Sequence, residues 1–171
     1  MTRSEMEILI KGRAAIVVTV LATLTAINGW IGGSNSSKIT NNTIAANNLW
    51  THYGVKNVKA AIDTGLADAL QANPTPSNVK LSMHYRSEAQ RMRDEPGDGM
   101  TALADKAKAL EAERNAAQKR SPWFTFAGIV LQIGIVLSTA AILAVAMPLF
   151  YASVGVGCAG ALLFAFALFG A

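Results

Sequence analysis

Two stretches of this chain carry no formal charge: residues 14–37 and residues 122–171. Every Asp, Glu, Lys and Arg lies in the first thirteen residues or between Lys38 and Arg120. A soluble domain of ordinary composition has about a quarter of its residues charged, spread over its surface. Here 15% are charged, 51% are hydrophobic and the mean hydropathy is +0.31. The pattern excludes an ordinary water-soluble enzyme, and it equally excludes a disordered chain, which needs low hydrophobicity and high charge. It predicts an all-α integral membrane protein with three transmembrane helices and a helical extramembrane segment between the first and the second.

The number of crossings follows from length. A bilayer core of about 30 Å takes about 20 apolar residues in a helix. The first apolar run, from Ala14 through Trp30 and Ile31, satisfies that once. The second run, about 50 residues, would measure about 75 Å as one helix, so it must fold back. Pro148, which lacks an amide hydrogen and disfavours helical geometry before it, marks the expected turn. The predicted organisation is a tail over 1–13, a span over 14–33, an extramembrane segment over 34–121, and spans over 122–147 and 148–171. Arg3, Lys11 and Arg13 before an apolar run also describe a secretory signal. The run is long for one and no A-x-A site follows it, so it is read as a retained span.

Three basic residues precede the first span and only Lys38 follows closely, which places the N-terminus in the cytoplasm. Lys108, Arg114, Lys119 and Arg120 oppose that reading from the other side of the segment, but long segments translocate largely regardless of charge. The expected location is a bacterial inner membrane with the extramembrane segment in the periplasm.

Within that segment, the polar stretch after Gly32-Gly33-Ser34-Asn35-Ser36-Ser37 leads into a helix with Val55, Val58, Ile62 and Leu66 on one face. Asn73-Pro74-Thr75-Pro76-Ser77 breaks it, and a second helix runs from Ser77 to about Asp94 with Val79, Met83 and Met92 apolar. Glu95-Pro96-Gly97-Asp98-Gly99 predicts a turn. A third helix from about Thr101 places Leu103, Ala107, Leu110 and Ala117 at heptad spacing, interrupted by Arg114. Ser121-Pro122 has the form of an N-cap with proline at the first helical position, which predicts a fresh helix there. So few large apolar side chains make a marginal core, and packing against another protein or another copy would account for its order.

Asn48-Leu49-Trp50-Thr51-His52-Tyr53-Gly54-Val55-Lys56-Asn57-Val58-Lys59 has the form [DN]-x-W-x-x-Y-x-x-K-x-x-K. Together with Leu110-Glu111-Ala112-Glu113-Arg114 and the apolar run from Phe124 to Ser138, it resembles an uncharacterised bacterial membrane family, domain of unknown function 4337. The resemblance covers most of the chain outside residues 71–99. It implies one N-terminal span, a helical segment and a C-terminal hairpin of two spans, with no catalytic residues to carry over. The hairpin turn here lacks the Arg or Lys often found in that family.

Trp50, Tyr53, Lys56 and Lys59 are the candidate partner-contact residues, since two polar-tipped aromatics flanked by cations suit a protein or lipid headgroups. The alternative is that both rings pack within the segment and the lysines are solvated. Gly134, Ser138, Ser153, Gly157 and Ala161 are the candidate membrane helix-packing residues. Small residues four apart let backbones approach, whether within the hairpin or against a partner. Gln132 needs a hydrogen-bond partner in an apolar run. His52, His84 and Cys158 have no metal-ligand spacing, and Cys158 reads as a small packing residue. No catalytic, cofactor-binding or metal site is expected, and no cofactor. The apolar runs hold no ionisable side chain, which disfavours a channel or transporter. The basic residues are interspersed with acids, so no nucleic acid is expected. The expected role is a non-catalytic accessory subunit of a larger membrane complex, respiratory or photosynthetic, with other subunits or copies of itself and lipids as partners. The alternative is a self-assembling homo-oligomeric scaffold.

Overall fold

A computed structural model describes residues 3–170. Met1, Thr2 and Ala171, which the expected tail and last span include, lie outside the described residues. The described residues form four helices and no strand: α1 (Arg3–Gln71), α2 (Pro76–Asp94), α3 (Met100–Ala144) and α4 (Met147–Phe169). Helices α1, α3 and α4 are each long and apolar enough to cross a membrane. Two compact units divide the chain: Met1–Ile39 with Ala116–Ala171, and Thr40–Asn115.

In the first unit, bulky side chains fill places that glycine leaves open. Leu21 of α1 is 5% exposed and lies over Gly134 of α3 and Gly157 of α4. A Cβ on Gly157 would sit 2.7 Å from Leu21 Cδ2, and one on Gly134 would sit 3.0 Å from Leu21 Cδ1 and 3.4 Å from the Gly157 backbone. Gly160 does the same for Leu131, with the Leu131 amide nitrogen 3.0 Å from its missing Cβ. Two aromatic-capped clusters flank these sockets. One gathers Phe124, Ala127, Phe164 and Ala167, and the other Ala14, Ala141 and Phe150.

Three expectations are corrected here. Helix α1 runs unbroken through Gly32-Gly33-Ser34-Asn35-Ser36-Ser37 and through the Asn-rich polar stretch after it, which was expected to lead from the first span into the helix bearing Val55. Tertiary contacts override the weak helix propensity of those residues. Gly32 lets Phe124 approach to 3.3 Å from where a Cβ would be, and the Asn35 side-chain amide donates to the Ala117 carbonyl at 2.8 Å. Helix α3 likewise continues through Pro122. The break that proline invites does not occur, and side-chain amides of α1 dock on α3 carbonyls to either side of it: Asn35 at Ala117, and Asn28 at Phe124 at 3.0 Å.

The third correction concerns the hairpin turn. Helix α3 ends before Pro148, at Ala144, with Val145 in the left-handed region (φ 51°) and the Ala146 amide donating to the Ala141 carbonyl at 3.3 Å. This is the six-to-one bond of a Schellman cap, with valine where glycine is usual. Pro148 falls in the first turn of α4, where a missing amide hydrogen costs nothing.

The second unit is assembled around small side chains. Ala46, Ala60 and Ala67 of α1 are buried at multiples of seven residues, with half-buried Tyr53 completing the series. Ala89 and Met92 of α2 pack on Ala60, and Leu103 and Ala107 of α3 are buried as their heptad spacing predicts. Helix α2 opens at Pro76, one residue earlier than expected, with the Thr75 side chain accepting from the Asn78 amide at 3.2 Å. Of its expected apolar residues, Met92 is buried, Val79 is half-buried and Met83 is exposed. The turn at 95–99 is as expected and needs both glycines. Gly97 has φ 83°, and a Cβ on Gly99 would meet the Glu95 carbonyl oxygen at 2.6 Å.

Candidate functional site

Trp50 and Tyr53, one turn apart on α1, are both half-buried, and their rings meet edge to face with centroids 5.6 Å apart. The Trp50 indole N–H donates to Glu111 Oε1 of α3 at 2.9 Å, which satisfies its one donor within the unit. Lys56 follows on the same side. Its ammonium donates to the Asp98 carbonyl oxygen at 2.6 Å and to Asp98 Oδ2 at 2.5 Å, and lies 3.8 Å from Glu95 Oε2. The hydrogen bond from Lys56 is the main reason the Asp98 carboxyl is held below its ordinary range, with His52 and Lys106 adding to it. His52 Nδ1 is 3.7 Å from Asp98 Oδ1. Lys59 stands exposed.

Three of the four candidate partner-contact residues are therefore engaged inside the unit, and they clamp α1 to α3 and to the turn that precedes it. The chemistry of this cluster is that of a structural tie, with one carboxylate–ammonium pair open to water. Among the described residues no group of His, Cys, Asp and Glu could hold a metal ion.

The apolar stripe of α1 faces the other way. Val55 and Val58 are each 61% exposed, Ile62 is 56% and Leu66 is 44%, with Ile44 continuing the stripe towards the start of the unit. The spacing that marks an amphipathic helix is present, but the buried seam is the alanine series beside it. Sequence periodicity singles out the larger side chains; the burial of Ala46, Ala60 and Ala67 is signalled only by their spacing of seven and fourteen residues.

The candidate helix-packing residues lie in the first unit. Gly134, Ser138, Ser153 and Gly157 are buried, and Ala161 is half-buried. Ser138 Oγ donates to the Ala14 carbonyl of α1 at 3.2 Å, and Ser153 Oγ to the Phe150 carbonyl of its own helix at 2.9 Å. Cys158, expected as a packing residue, is exposed. It lines a shallow apolar groove between α1 and α4, together with Val20, Leu24 and Ala161. Gln132 is exposed beside the cavity that contains Asn28. Asn28 is the amide that sequence reasoning missed. It is 5% exposed, its amide nitrogen bonds α3 at Phe124, and its Oδ1 is buried with no hydrogen-bond partner. An asparagine in the middle of a charge-free run was the available signal.

No curated protein and no solved structure matches this chain. The profile of one family, described as a domain of unknown function, matches residues 10–170 and so includes the segment 71–99 that the motifs alone left out. From the first apolar run to the end of α4, the chain belongs to the DUF4337 family.

Proposed function

We propose that this chain is a non-catalytic accessory subunit of a larger bacterial inner-membrane assembly, respiratory or photosynthetic, and that it contributes by helix packing. Its three long apolar helices insert, and the segment between the first two lies on the periplasmic side. The observation that carries the reading is the exposed stripe Val55, Val58, Ile62 and Leu66 in a unit whose own seam is built largely of alanine. A helix that leaves its larger apolar side chains in water while burying alanines has a face fitted to a partner helix. The marginal apolar content of residues 40–115 points the same way, since a partner would add the burial the unit lacks.

Two single-cysteine variants in a Cys158→Ser background test this. Val58→Cys should resist a membrane-impermeant maleimide in native membranes and react once mild detergent has stripped the partner. Ser77→Cys, at an exposed position, should react from the periplasmic side of intact cells. Reaction at Ser77 only after the inner membrane is opened would reverse the orientation. Equal reaction at Val58 before and after stripping would remove the docking face. On a native gel the intact protein should co-migrate with other polypeptides; a ladder of this one polypeptide would show a self-assembling scaffold instead.

A further inference from the structure

Helix α1 carries a second seven-residue register beside its alanine seam. Ala46, Ala60 and Ala67, with half-buried Tyr53, recur at one heptad position. With the heptad written abcdefg and that position taken as f, Asn48, Val55 and Ile62 fall at a, and Ile44, Thr51 and Val58 at d. All six are exposed, and a and d lie on the side of a helix opposite f. The seam they form is uncharged, and Gly65 at the next d position ends it. The Thr51 hydroxyl donates to the Asn47 carbonyl of its own helix at 2.9 Å, so it brings no unmet donor to the seam. β-Branched residues at a, here Val55 and Ile62, suit two parallel strands, and an asparagine at a, here Asn48 with Asn41 one heptad earlier, fixes the register of such a pair.

We propose that the exposed stripe of α1 is covered by a second copy of this chain, α1 against α1 in a parallel two-stranded coiled coil over residues 41–62. The proposal rests on the reading of that stripe as a docking face and names its occupant. Two copies inserted the same way send their segments out of the same membrane face in the same chain direction, so α1 meets α1 in parallel. The flanks of the seam agree with that register. Across it, each g position faces the e position of the other copy: Asn47 faces His52, Gly54 faces Lys59, and Ala61 faces Leu66. No like charges meet, and Leu66 gains an apolar neighbour. A seam this short, with asparagine in its core, is weak between free chains, which lets detergent separate them; confinement to one membrane raises the effective concentration of each copy for the other. The contact is two-fold and uses up its own face, so it closes at a pair, which joins the larger assembly as one body and does not grow into a ladder.

The test is disulfide formation in native membranes, with the full chain in a Cys158→Ser background. In a parallel seam a d residue meets its own counterpart, so Val58→Cys should oxidise with copper phenanthroline to a dimer of this one polypeptide. Asn57→Cys, exposed one residue away at a flanking position, should not. Asn48→Asp sets two carboxylates face to face in the seam and should cut the Val58→Cys dimer about tenfold, whereas Asn48→Val should not lower it. All of these positions are exposed, so helicity should be unchanged in each variant. Equal dimer from Val58→Cys and Asn57→Cys would show random collision and overturn the pair. An undiminished dimer in Asn48→Asp would overturn the register. Absence of the Val58→Cys dimer while that thiol stays shielded from maleimide would overturn the second copy and leave another protein on the face. A thiol equally reactive before and after detergent would instead remove the docking face itself, so the two failures are distinguishable.

Discussion

The two units are held together differently. In residues 3–39 and 116–170, large side chains go inwards: Leu21, Leu131, Phe124 and Phe164 occupy sockets floored by glycine or alanine. In residues 40–115, the buried seam of α1 is Ala46, Ala60 and Ala67, met by Leu103 and Met92 of the other helices, while the larger aliphatics of α1, Val55, Val58 and Ile62, stay out. Each arrangement suits a different solvent. Between helices in hydrocarbon there is no hydrophobic drive, so contact comes from interlocking shapes, and a leucine seated on glycine maximises it. In water an alanine seam gives close approach but little burial, and the second unit supplements it with polar ties: Trp50 to Glu111, Lys56 to Asp98, and Arg86 to Asp68 at 2.9 Å. Interlocking shape is intolerant of added atoms, and a tie-dependent unit is intolerant of a lost anchor.

The sharpest way to break that contrast is to remove the anchor. Trp50→Ala forfeits the ring contact with Tyr53, the bond to Glu111 and part of a large side chain's packing. It should destabilise the second unit by about 3 kcal/mol, the low end for truncating a large aromatic, because Trp50 is only half-buried. Limited proteolysis should open residues 40–115 while the apolar helices stay protected, and Trp30→Ala, at an exposed position, should leave protection unchanged. Simultaneous loss of both units would show that they are not separately stabilised.

Adding one carbon tests the first unit. Gly160→Ala places a Cβ within about 3 Å of Leu131, including its backbone nitrogen, which cannot rotate away. The expected cost is about 2 kcal/mol, read as a lower unfolding midpoint in mixed detergent micelles. Gly155→Ala, where a Cβ meets nothing within 4 Å, should raise the midpoint slightly, by about 0.5–1 kcal/mol from the helix preference of alanine over glycine. Equal effects at the two glycines would mean that helix propensity, not socket shape, governs this unit.

The smallest effect is expected at the hairpin. Val145 sits in the left-handed region, which costs a β-branched residue about 1–2 kcal/mol. Val145→Gly should recover about 1 kcal/mol after glycine's own entropy loss, visible as a modest rise in the same unfolding midpoint. A fall would show that the valine side chain contributes more to packing than its backbone costs.

What could be read in advance follows from which physics leaves a mark on one-dimensional sequence. Charge leaves a strong one, so the presence of three long apolar helices was legible, though not where α1 and α3 end or begin. Turn chemistry at Asn73–Ser77 and Glu95–Gly99 was legible because proline and glycine act locally. The hairpin turn was misplaced by a few residues because Pro148 is compatible with the start of a helix as well as the end of one, and because its true cap uses valine. The unbroken helices through Gly32–Ser37 and Pro122 depend on Asn28, Asn35 and Phe124, partners about 80 to 100 positions apart in sequence, which no local window contains. For the same reason the pattern at Trp50, Tyr53 and Lys56 marks out a cluster but does not say whether Glu111 and Asp98 are waiting for it.

The seat of Leu21 imposes an order of events on the chain's own birth. Its two floor residues belong to α3 and α4, more than a hundred positions further along, and they face each other only after the chain has reversed at Val145. When the ribosome has finished the first apolar run, the surface that run will embrace has not been synthesised. The reversal between α3 and α4 joins near neighbours and closes cheaply, whereas bringing α1 home closes a far longer loop. The C-terminal pair therefore closes at a lower entropic cost than α1 does, and the seat of Leu21 is complete only once both α3 and α4 have been made. A chain truncated before Gly157 would keep the α3 half of that seat, at Gly134, and lose the half that α4 supplies.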